Sequence, residues 1–156
     1  MSGGAARLRA ALFPRDGEMS MRNPVDWALL FLRVSGSLLL LQVHGLPKVL
    51  HFSQELQRIE DPMGLGAGLT LCLAIFAEVL CPLLILLGLL TRLACVPIVV
   101  LLLVSLVLVH PQWSLDEGQF AWLLLITFTT LAISGPGALA LGRRIAEPRS
   151  KALWLY

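Results

Sequence analysis

Arg33 and Glu78 lie deep within stretches of this chain that are otherwise too apolar for water. A charge at bilayer depth costs roughly 2.5 to 3.5 kcal/mol on insertion scales, so it persists where it faces a protein interior and has a partner. The simplest partner for each is the other. Such a pair has two readings. In one it is a structural clamp that registers two helices, since buried ion pairs often specify geometry rather than chemistry. In the other, Glu78 accepts protons or orients a ligand, with its proton affinity tuned by Arg33, and the two are the candidate catalytic residues.

On an ideal helix each residue advances about 100°, so Arg33 and His44 differ by only about 20° in direction. Ser37 falls about 40° from Arg33, which gives a stripe of Arg33, Ser37 and His44, with Lys48 beyond Pro47 extending it. Facing the bundle, that stripe can be paired and hydrated. His110 closes a later apolar stretch and, with His44, Lys48, Glu117 and His51, is expected to gather at one mouth of the bundle. Imidazoles and a carboxylate there suit a transition metal assembled across helices, a quinone carbonyl, a proton relay or interfacial packing. There is no His-Glu-x-x-His helix and no histidine pair at four-residue spacing, so no metal site is assigned. Cys72 and Cys81, nine apart, fall on opposite helix faces roughly 13 Å apart in height and cannot join. The chain lacks a Cys-x-x-Cys pair, and Cys72, Cys81 and Cys95 read as buried small apolar side chains.

The elements that must position these residues follow from composition. Hydrophobic residues make up 57% and charged residues 14%, with a mean hydropathy of +0.82. Soluble domains are about 45 to 50% apolar and about 25% charged, so this is a membrane protein. A bilayer core of about 30 Å needs about 20 residues per helical crossing. The apolar runs predict an all-α, four-helix transmembrane bundle with spans at 27–46, 65–90, 93–109 and 119–134. The polar segment from His51 to Pro62 reads as a connector. Thr127, Thr129, Thr130 and Ser134 give the fourth span a polar side suited to helix packing. Gly64, Gly66 and Gly68 permit close approach at the start of the second span.

Basic residues set the expected orientation. Arg7, Arg9, Arg15 and Arg22 in the amino tail, Arg92 in the second loop, and Arg143, Arg144, Arg149 and Lys151 in the carboxyl tail share one side. Only Lys48 and Arg58 fall on the other. By the positive-inside rule both termini are cytoplasmic, and Trp27, Trp113 and Trp122 fit an aromatic belt. The expected organisation is a cytoplasmic tail over 1–24, the bundle over 25–142 and a basic tail over 143–156. The amino tail lacks the apolar core of a cleavable signal, so the first span is expected to act as an uncleaved anchor. The net charge of +2 is a topology signal, and no base-reading module is present, so nucleic acid is not an expected partner.

Several of these residues fall into a pattern. Leu32-Arg33 followed by small residues, His44-Gly45-Leu46-Pro47-Lys48, Ala77-Glu78 and Gly88-Leu89-Leu90-Thr91-Arg92-Leu93-Ala94 occur in order. Val109-His110, Glu117 and Gly135-Pro136-Gly137 complete the set. Over about residues 27 to 142 the chain resembles the DoxX family of small four-helix membrane proteins. The family often follows Gly-Pro-Gly with Ser-Leu-Asp, where this chain has Ala140-Leu141-Gly142 and so lacks any role of that aspartate. The resemblance implies a bacterial cytoplasmic-membrane protein whose relatives are associated with quinone-linked sulfur oxidation, terminal oxidase complexes and thiol or oxidative-stress handling. It says more about architecture than about reaction.

The expected function is therefore a redox-linked accessory or subunit of a membrane oxidoreductase system. Its bundle would service a quinone-like or thiol partner, beside a membrane or soluble redox protein or a second copy of itself. In that reading Arg33 fixes Glu78, Glu78 relays protons, and His44, Lys48, His110 and Glu117 bind the ligand's polar end. The rivals are a noncatalytic assembly factor, in which the charged pair only sets packing, and a small-solute or metal-ion permeation unit lined by the polar stripe.

Overall fold

The computed structural model describes residues 23–142. The expected amino tail over 1–24, apart from Asn23 and Pro24, and the carboxyl tail over 143–156 lie outside the described residues. Within them the chain forms α1 (Pro24–Leu50), α2 (Phe52–Arg58), α3 (Ala67–Leu87), α4 (Thr91–Val109) and α5 (Leu115–Ser134). All but α2 are long and apolar enough to cross a membrane. No strand occurs among the described residues.

Local chemistry explains where the spans depart from the apolar runs. α1 starts before Trp27 because Asn23 caps it, accepting from the Val25 N–H at 3.1 Å, with Pro24 in the first turn. α5 starts about a turn before Gln119 because Ser114 and Glu117 form a capping box, with Ser114 N donating to Glu117 Oε2 at 2.8 Å. α3 stops at Gly88, whose φ of 70° is the left-handed conformation that glycine adopts at a helix end. The segment expected to be only a connector contains α2, which carries exposed Phe52 and Leu56 beside polar residues.

Consecutive spans run antiparallel. α1 packs on α3 and α5, and α4 packs on α3 and α5, so the four close a ring in sequence order. Both chain ends of the bundle lie at one end, the termini end; α2 and the α4–α5 loop mark the loop end. The core of Leu40, Ile85, Ile98, Leu102, Phe128 and Leu131 is fully or nearly fully buried. α3 and α4 pack closely through the termini half of α3, whereas its loop half diverges from α4.

Three spans contain a turn widened to π geometry: Leu41–Gly45 in α1, Phe76–Leu80 in α3 and Ser105–Val109 in α4. Each ends two residues before a proline, Pro47, Pro82 and Pro111. A proline gives no N–H to the carbonyl four residues earlier and crowds it, and a wider turn relieves that crowding. Pro97 lies inside α4 with no π turn, so proline alone does not set one.

Candidate functional site

The buried charges expected to pair with one another do not. Arg33 projects to the termini end, where Nη1 donates to Pro136 O at 3.3 Å and Nη2 to Leu139 O at 3.0 Å. One face of α1 holds the segment after α5 at two points, because Asp26 Oδ1 also accepts from Ala138 N at 2.6 Å. A Cβ placed on Gly88 would collide with Arg33 Nη1, so Arg33 is level with Gly88. Glu78 lies ten residues earlier on α3, roughly 15 Å along the axis and out of an arginine's reach. The Arg33–Glu78 pair is replaced by Arg33 on backbone carbonyls, and Arg33 leaves the set of residues that share a site with Glu78.

Glu78 pairs with Lys48 instead. Lys48 Nζ lies 2.6 Å from Glu78 Oε2, with the two side chains 18% and 5% exposed. The helices meet at this level because Gly45 sits on the Glu78 backbone carbonyl, where an added Cβ would collide with the oxygen. Pro82 denies that carbonyl an N–H partner four residues on, and the π turns of α1 and α3 face each other across the contact. π turns occur frequently at functional sites. Here two of them carry His44 and Glu78, and the third leads into His110.

The stripe expected along α1 is also divided. Arg33 and Ser37 are buried, whereas His44 and Lys48 line a cavity of about 750 Å³ at the loop half of the bundle. Small-molecule sites typically occupy about 300 to 1,000 Å³. Glu78, His110 and Glu117 share its lining, which brings five of the six expected site residues together. The His44 ring lies 5.6 Å from that of Phe120, and His110 stacks on Trp113 at 3.7 Å and 6°. Glu117 sits at the rim with Oε2 committed to the Ser114 cap. His51 is exposed at the α1–α2 junction and does not line the cavity. No group of three or more His, Cys, Asp or Glu side chains is placed to hold a metal among the described residues.

The cavity has a wall that the sequence reading missed. Arg58, Ile59, Glu60, Pro62 and Met63 line it at the loop end. The loop is pinned by Asp61, whose Oδ1 accepts from Thr70 Oγ1 at 2.8 Å and Leu65 N at 3.0 Å, and whose Oδ2 accepts from Gly66 N at 2.6 Å. The Thr70 hydroxyl first, then these backbone N–H groups, hold the Asp61 carboxyl below the usual range. The sequence signal was an acidic residue followed by Pro62 and closely spaced glycines ahead of an apolar run.

The thiols are all free; Cys81 and Cys95 are buried as expected, but Cys72 is exposed on the outer face of α3. Thr127, Thr130 and Ser134 satisfy their hydroxyls on carbonyls four residues back, at 2.7–2.8 Å, and line no site with Glu78.

A family model described as DoxX matches residues 28–111, more than half of the chain. No curated protein and no solved structure matches it.

Proposed function

This chain belongs to the DoxX family, and from that premise we propose that it is a redox-linked accessory or subunit of a membrane oxidoreductase system that binds a quinone-like head group in its cavity. Membrane residence rests on the four apolar spans; the ligand and the redox role are our reading. The observation that carries it is the 2.6 Å Lys48–Glu78 pair set into the wall of an otherwise largely apolar cavity. A quinone needs such a place: its ring is apolar, and its carbonyl oxygens accept hydrogen bonds and, on reduction, protons. Lys48 is a three-donor ammonium that spends one direction on Glu78 and keeps others for a carbonyl. His44, one turn before it, serves the same ligand as donor or proton carrier. Glu78 holds the ammonium in place. Electrons come from the partner redox protein; this chain's residues orient the ring and supply protons.

The test is quinone binding to purified protein, read by quenching of tryptophan fluorescence, since Trp113 lines the cavity. Glu78→Gln and His44→Ala are each expected to weaken binding about tenfold, the size of one hydrogen bond to a charged or well-placed group. Unchanged affinity in both variants removes these residues from a quinone site.

A further inference from the structure

We infer that the cavity is loaded from the bilayer through a slot between α3 and α4, and that its occupant carries a hydrocarbon tail that lies in that slot. The inference rests on the reading above for the head group and on separate observations for the tail. Leu73, Phe76 and Val100 line the cavity while 46%, 45% and 53% exposed, so its wall is interrupted on the surface that faces lipid. Ala74, Ala77 and Leu102 line the same cavity and are buried, which places them inside the slot. On α4 the lining runs from Pro97 to Val109, roughly 18 Å of helix. At the loop end the cavity is lined by the segment that Asp61 pins. A sideways route leaves those hydrogen bonds intact.

Size decides the occupant. The cavity's 750 Å³ lies inside the range of about 300 to 1,000 Å³ that small-molecule sites occupy. A single flexible chain fits. The Lys48–Glu78 pair at the wall asks for a polar head at one end, and the apolar slot asks for a tail at the other. A tail that leaves lipid for the slot gains little hydrophobic energy, because both surroundings are apolar. The slot thus sets the route and the fit rather than supplying affinity by itself.

The experiment compares a decyl-tailed benzoquinone with the same ring lacking the tail, on the full chain in lipid nanodiscs. Leu73→Trp and Val100→Trp plug the slot from its exposed edges, and Val96→Trp, exposed on α4 but outside the cavity, is the control. Each plug is expected to weaken the tailed quinone by about tenfold, leave the tailless ring within about twofold, and spare both in the control. Plugs that affect the two ligands equally, or neither, overturn the slot while leaving the head-group site standing. If neither quinone binds the parent protein, the head-group reading fails, and the slot is then decided by a photoactivatable fatty acid in the same nanodiscs. Labelling of Ala74, Ala77 and Leu102 supports a tail in the slot; labelling confined to outward residues such as Val96 and Val107 overturns it.

Discussion

Lys48 and Glu78 show how burial turns a weak surface interaction into a strong constraint. An exposed ion pair contributes up to about 1 kcal/mol, whereas removing one member of a buried pair leaves an uncompensated charge and costs about 3 to 5 kcal/mol. Glu78→Gln and Lys48→Met are each expected to lower stability by about 3 kcal/mol or more, measured by unfolding in detergent. The double variant Lys48→Met with Glu78→Met should recover most of that loss, because neither charge is then stranded. Strictly additive losses would mean that the two side chains do not depend on each other. That Glu78 needed a cation was legible from its setting in an apolar run. Which cation it takes was not, because Arg33 and Lys48 both lie on α1 and only the axial register of α1 against α3 separates them.

At the scale of elements, the contact between α1 and α3 depends on an absent side chain. A Cβ on Gly45 would collide with the Glu78 carbonyl oxygen, a backbone atom that cannot swing away. Gly45→Ala is therefore expected to cost about 1 to 3 kcal/mol and to weaken quinone binding, because Lys48 and Glu78 move apart together with the helices. Gly68→Ala, which meets nothing within 4 Å, should instead raise stability by up to about 1 kcal/mol through helix propensity. Thermal unfolding of the two variants beside the parent protein checks both signs; equal shifts would deny that α1 and α3 are closely apposed at Gly45. The four apolar runs were readable because a span must satisfy its own backbone and present apolar side chains to lipid. The π turns were not read, although Pro47, Pro82 and Pro111 each follow one at the same distance; Pro97 shows that the residue type does not suffice.

For the whole molecule, the bundle brings both of its chain ends to one side, and the basic residues propose which side that is. With Arg92 at the termini end and further basic residues in both tail sequences, the positive-inside rule predicts cytoplasmic termini. A fluorescent protein fused to either terminus should fold and fluoresce, and a phosphatase that needs an oxidising compartment should stay inactive there; the opposite pattern would reverse the orientation. Apolar composition and run length determined by themselves that the chain resides in a membrane as four helices, because lipid offers a backbone no other hydrogen-bond partners. The order of motifs along it was enough to place it in its family. Pairing was decided only by the folded molecule. It set Arg33 against the carbonyls after α5, joined Lys48 to Glu78, and opened a slot where α3 leaves α4. Each of these depends on how far one helix slides and rotates against another, and that is fixed by contacts such as Gly45 on Glu78 between residues distant in sequence.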